Sequence, residues 1–158
     1  MIKLANFFVS LSFAGYIKLI PPGTFASFLS IVILFPIVEY KIISLEIFIA
    51  VFIVIFLISL FFINQFSSHT QSHDSKIIVI DEFLGIYLIL LFYDQIKIIN
   101  PYVTMILIFI LFRFFDILKI FPANIVDKRL KSAFGVILDD LIAGIYTIII
   151  LYIVNAYY

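Results

Sequence analysis

A chain of 158 residues that is 65% hydrophobic and only 13% charged, with a mean hydropathy of +1.28, is far more apolar than a soluble domain. Such domains run to about 45–50% apolar and about 25% charged residues. Zero net charge and the absence of cysteine exclude a basic nucleic-acid-binding stripe, disulfides, thiolate metal sites and a cysteine nucleophile.

Apolar segments alternate with short polar breaks along the whole sequence. Leu4–Ile20 comes first and reads as a retained helix rather than a cleaved leader, because further apolar segments follow it. Pro21-Pro22-Gly23-Thr24 makes a turn, with Thr24 placed to cap the next helix and free backbone N–H groups placed to receive an anion. The bland alternative is a capped turn without a ligand. Phe25–Val38, carrying Pro36, is short for a span. Ile42–Ile63 runs 22 residues with Glu46 as its only charge, and about 20 residues cross a hydrocarbon core. Asn64 to Lys76 is polar, and its His69 and His73 read as loop residues rather than a zinc pair. Ile77–Tyr93 is apolar but carries Asp81 and Glu82 one turn in. After the break from Asp94 to Pro101, with Pro101 suited to a helix start, comes the short Tyr102–Phe112. Arg113 to Gly135 is the longest charged region, and Val136–Asn155 closes the chain with Asp139 and Asp140 one turn in.

Long segments without period-2 alternation predict helices. The expected fold is an all-α, polytopic membrane helix bundle with about four to five spanning helices, one domain over residues 1–158. If the first segment lies in the interface and the other five cross, Lys3, Lys18, Lys76, Arg113, Lys119, Lys128, Arg129 and Lys131 share one face. Only Lys41 and Lys97 fall on the other, eight against two, which puts the larger group in the cytoplasm.

Acidic side chains inside apolar helices are functional candidates. Asp81-Glu82 and Asp139-Asp140 are adjacent acids that repel unless a cation or base neutralises them, and such hard-oxygen clusters suit Mg²⁺. Gly85 and Gly144, each four residues after a carboxylate, are expected to open space beside it. Alternatively, the acids pair with Arg113 or Lys119 and only staple helices. Arg113, Asp116 and Lys119 are spaced three apart, along one helical stripe. That stripe is either an ion-pair ladder or a metal or water ligand flanked by two phosphate-clamping cations. Asp74, seven residues before Asp81, is a secondary candidate.

Three segments resemble the phosphatidylglycerophosphatase A family. Its Gly…Pro-Gly-Thr-x-Gly-Ser pattern is met by Gly15…Pro22-Gly23-Thr24-Phe25-Ala26-Ser27. Its Asp…Ile-Val-x-Asp-Glu-x-x-Gly pattern is met by Asp74…Ile78-Val79-Ile80-Asp81-Glu82-Phe83-Leu84-Gly85. The long third pattern runs from Phe112-Arg113 through Asp116, Lys119, Pro122 and Asp127 to Gly135…Asp139-Asp140…Ala143-Gly144. Ala26 replaces a glycine, Ile120-Phe121 stands for Pro-Trp and Ser132-Ala133 for Gly-Gly.

The resemblance implies hydrolysis of phosphatidylglycerophosphate, a membrane phospholipid, to phosphatidylglycerol and inorganic phosphate. It also implies dependence on Mg²⁺ and a place in the bacterial inner membrane. Asp81, Glu82, Asp116 and Asp140 are then the catalytic candidates, and with Asp139 the metal ligands. Lys18, Gly23, Thr24, Arg113 and Lys119 are the phosphate-binding candidates, and Asp127 a further acid. Water attacks phosphorus directly or through a phospho-aspartate at Asp81 or Asp116. The competing class is a non-catalytic transporter or scaffold subunit, which does not account for polar residues gathered at one membrane face.

Overall fold

Helices fill the computed structural model, which describes residues 2–17, 20–70, 75–98 and 100–157, with backbone alone for residues 2 and 127–129. In chain order they are α1 (Ile2–Val9), a 3-10 turn (Ala14–Tyr16), α2 (Pro22–Glu39), α3 (Leu45–Thr70) and α4 (Ile80–Leu91). The short α5 (Tyr93–Ile96), α6 (Pro101–Leu118), α7 (Ala123–Arg129) and α8 (Ala133–Ala156) follow. No strand occurs among the described residues. Four helices, α2, α3, α6 and α8, are long and apolar enough to cross a membrane, so the chain is an all-α polytopic membrane protein.

The two segments that looked short are lengthened at their ends. Both α2 and α6 reach 18 residues. Pro22 starts α2, where its missing N–H costs nothing. Thr24 lies inside the first turn and caps nothing, because Pro21 occupies the cap position. Asn100 caps α6 by accepting the N–H groups of Tyr102 at 2.9 Å and Val103 at 3.3 Å. At the other end α6 continues through Arg113 and Asp116, adding polar residues that hydropathy alone excludes from a span.

The first apolar segment is not one helix. After α1 the chain passes through Leu11, Ser12 and Phe13 at φ 49°, 57° and 71°, a left-handed run that L-residues adopt only at a cost. Ser10 supports it, its hydroxyl accepting the Phe13 N–H at 3.0 Å. Ahead of this turn, α1 is tied to the bundle where the Val79 N–H donates to the Val9 carbonyl at 2.9 Å and where Phe8 meets Phe62.

At 12 residues, or about 18 Å, α4 cannot cross a bilayer unaided. Its burial explains how it is accommodated: Phe83, Leu84, Ile86, Tyr87, Ile89 and Leu90 are all buried against α2, α3 and α8. The start of α4 lies beside Gly23, at the beginning of α2. Past the break at Phe92, the Tyr93 hydroxyl donates to Glu39 at the end of α2. Together α4 and α5 therefore run the depth of α2. In contrast, α3 turns Ile47, Ile53, Leu57 and Phe61 outward, as a lipid-facing helix does. Tyr40, Tyr102 and Tyr157 are exposed at one end of the bundle, where amphipathic rings suit a headgroup layer.

Gly85 and Gly144 bring the central helices together rather than clearing space beside carboxylates. A Cβ on Gly144 would sit 3.0 Å from the Gly85 carbonyl oxygen. A Cβ on Gly85 would sit 2.6 Å from the Phe112 ring and 3.1 Å from the Asp140 carbonyl oxygen. Phe112 is fully buried and has nowhere to move. Gly85→Ala is expected to destabilise the bundle by about 1–3 kcal/mol, the usual cost of overpacking. Thermal unfolding in detergent measures this, and an unchanged Tm would show that the α4–α8 contact yields freely.

Candidate active site

Asp81 and Glu82 lie in the first turn of α4, and Asp140 lies about two turns into α8, deeper than the segment boundaries suggested. Because α4 and α8 are held together at Gly85 and Gly144, these three side chains meet. One carboxylate oxygen from each lies within 4.8 Å of the others. Asp81 also accepts the Glu82 backbone N–H at 3.1 Å, which holds its carboxyl over the helix start. The Glu82 Oε2 is buried and accepts no hydrogen bond.

The neighbouring walls come from α6 and α2. Arg113 pairs with Asp116 one turn along α6, lies 3.9 Å from Glu82 Oε1, and donates to Ser27 Oγ at 3.5 Å. Its Nε is buried without a partner. Gly23 fits under this group because it has no side chain. A Cβ there would run into Glu82 Oε1 and come within 3.1 Å of Arg113 Nη1. The Gly23 and Thr24 N–H groups belong to the first turn of α2, where a helix leaves its donors without intrahelical acceptors. Ser27 was not among the candidates chosen from sequence, although it closes the first resemblance motif; that motif was the signal that could have found it.

The structure divides the remaining candidates. Asp116 stays at the site, paired with Arg113 and close enough to act electrostatically on Asp81, Glu82 and Asp140. Lys119 leaves the expected stripe, since α6 ends at Leu118 and Lys119 adopts a left-handed conformation at φ 44°. Its Nζ is 2.6 Å from Asp139 Oδ2, so Asp139 faces Lys119 while Asp140 faces the α4 acids. Lys18 and Asp74 lie outside the described residues. The backbone of Asp127 belongs to α7, and its side chain lies outside them too.

Asp81, Glu82 and Asp140 offer hard oxygen donors in a charge-crowded, largely buried setting. Glu82 Oε2 adds a buried acceptor that no protein donor serves. This donor set fits a hard divalent cation such as Mg²⁺. Arg113 and the first turn of α2 stand beside it with the donors that a phosphoryl group takes.

Fold and site together define an integral membrane helix bundle with a cluster of three acids at one end, flanked by Arg113 and the first turn of α2. The chain belongs to the phosphatidylglycerophosphatase A family, a family of phosphoric monoester hydrolases, whose profile matches residues 7–155. Similar to it is the phosphatidylglycerophosphatase A of Haemophilus influenzae, 29% identical over 134 residues, covering 85% of this chain and 78% of that one. The phosphatidylglycerophosphatase A of Escherichia coli is 25% identical over 158 residues, covering 98% of this chain and 87% of the relative. No solved structure matches. Family membership sets aside the transporter or scaffold reading.

Gly23→Ala is expected to displace the Glu82 carboxylate while leaving the helices packed, since only side-chain ends must move. Misplacement of a catalytic group by about 1 Å costs on the order of a hundredfold in rate. Phosphate release should fall at least tenfold with Tm unchanged, and wild-type turnover would show that the Glu82 position is not critical.

Proposed function

We propose that the chain hydrolyses phosphatidylglycerophosphate to phosphatidylglycerol and inorganic phosphate in phospholipid biosynthesis, with Mg²⁺ held by Asp81, Glu82 and Asp140. The observation that carries this reading is the convergence of those carboxylates beside the Arg113 guanidinium at the edge of a membrane bundle. The substrate named for both relatives supports the choice of lipid.

A phosphomonoester headgroup is an anion tethered at the lipid interface, so its hydrolysis needs a site near the same level. Carboxylates at the start of α4, about two turns into α8 and at the end of α6 meet that need. When bound, Mg²⁺ supplies charge neutralisation at the phosphoryl oxygens and acidifies the attacking water. Arg113, oriented by Asp116 and Ser27, binds the phosphoryl group and stabilises negative charge as the bond to glycerol breaks. The N–H groups of Gly23 and Thr24 bind another phosphoryl oxygen. A carboxylate of the cluster takes a proton from the water attacking phosphorus. The phosphatidylglycerol alkoxide leaves with the bridging oxygen and takes up a proton, in balance the one released by the attacking water, to become the terminal hydroxyl of phosphatidylglycerol.

Lys41 and Lys97 lie beside Asp94 at one end of the bundle, and Arg113 and Lys119 lie at the opposite end, which carries the site. The eight-to-two division of Lys and Arg supports placing that end on the cytoplasmic side of the bacterial inner membrane.

Purified protein should release phosphate from phosphatidylglycerophosphate with Mg²⁺ and stop in EDTA. It should act on it in preference to phosphatidic acid and to a soluble phosphomonoester. Asp140→Asn should lower turnover at least a hundredfold, as loss of a group acting on the transition state does, with the protein still inserted. Turnover indifferent to EDTA and to Asp140→Asn would overturn the reading. Direct attack by water predicts no protein-bound label in rapid-quench experiments with ³²P-labelled headgroup. Protein-bound ³²P released by hydroxylamine would show a phospho-aspartate instead.

A further inference from the structure

Asp139 and Asp140 are adjacent, yet the helix separates their tasks. Successive residues project about 100° apart around an α-helix, which lets one of two neighbouring carboxylates face the α4 acids while the other takes a different partner. Asp140 faces those acids. Asp139, only 8% exposed, is directed at Lys119 Nζ, 2.6 Å away.

Lys119 reaches it through an unusual backbone. It is the first residue beyond α6, at φ 44° and ψ 57°, a left-handed conformation disfavoured for any L-residue that carries a Cβ. Its N–H closes the helix on the Phe115 carbonyl at 2.9 Å. Just beyond, the Phe121 carbonyl accepts the Tyr146 hydroxyl of α8, and the Phe115 ring lies 5.3 Å from the Tyr146 ring. The end of α6 is thus fastened to α8 at Asp139, immediately before Asp140, and again at Tyr146, beyond it. That same end of α6 carries Arg113 and Asp116.

We propose that Lys119 and Asp139 are a positioning pair. They touch neither substrate nor ion, and they fix α8 against α6 so that Asp140 meets Asp81 and Glu82 beside Arg113. The proposal rests on the reading of those three acids as the ion-holding cluster. It replaces the roles that the sequence suggested for both residues, a phosphate clamp and a metal ligand.

The test uses the full chain in detergent, comparing wild type with Lys119→Met, Asp139→Asn, the double variant and Lys119→Arg. Phosphate release is measured over lipid and Mg²⁺ concentration, Mn²⁺ binding by electron paramagnetic resonance, and folded fraction by thermal unfolding. Each single variant should lose about ten- to a hundredfold in kcat and bind Mn²⁺ more weakly, while KM for the lipid stays within about twofold. The double variant should be no worse than the poorer single one, the mark of two residues acting as a unit, and Lys119→Arg should recover most of the loss. A raised KM with normal Mn²⁺ binding in Lys119→Met would make Lys119 a phosphate ligand and overturn the proposal. Loss of Mn²⁺ binding in Asp139→Asn but not in Lys119→Met would make Asp139 an ion ligand, with the same consequence. Multiplicative losses in the double variant, or losses that vanish on correction for folded fraction, would also overturn it. A wild type that binds no Mn²⁺ and ignores EDTA would refute the ion-holding cluster itself, a failure separate from that of the pair.

Discussion

Asp81, Glu82 and Asp140 gather within 4.8 Å of one another at one end of an apolar bundle, which concentrates negative charge where little water can solvate it. Carboxylates a few ångströms apart resist joint ionisation, and each unpaired buried ion costs several kcal/mol. Arg113 offsets part of that charge through Glu82 and Asp116. The buried Glu82 oxygen left without a donor marks where compensation from the protein stops. A bound divalent cation and a phosphoryl group would complete it, each supplying what the other needs. Binding and chemistry then share one electrostatic cause.

The scaffold serves that gathering by letting backbones approach. Gly85 and Gly144 seat α4 on α8, so acids from two helices reach one place. Gly23 performs the equivalent task for α2, leaving its first turn open to Glu82 and Arg113. The α6 end is held through Lys119 and Tyr146. Interiors packed this closely respond to small changes in volume, so residues remote from the phosphoryl group still decide whether the carboxylates meet.

Hydropathy made the helical class and most of the spans readable, because lipid imposes both length and apolarity on a crossing helix. The acids at Asp81, Glu82 and Asp140 were legible for the complementary reason: charge in such segments is too costly to be incidental. Other features depended on tertiary contacts that no single segment encodes. Leu4–Ile20 is apolar throughout, yet the left-handed turn at Leu11–Phe13 breaks it. The segment containing α4 has the composition of a span but only 12 helical residues, and its burial against three neighbours explains the difference. Regular three-residue spacing placed Lys119 with Arg113 and Asp116, but α6 ends one residue too soon. Adjacency likewise paired Asp139 with Asp140, whereas their different partners became visible only once Lys119 was in place. Thr24 had the composition of a cap, but Pro21 and Pro22 start the helix earlier.

The most direct measurement is anomalous diffraction from crystals of the protein grown with Mn²⁺ in place of Mg²⁺. A single strong peak bonded to oxygens of Asp81, Glu82 and Asp140, at about 2.0–2.3 Å as for hard cations of this size, is the expected result. A peak held elsewhere, or three carboxylates too far apart to share one ion, would contradict the convergence on which the proposed chemistry depends.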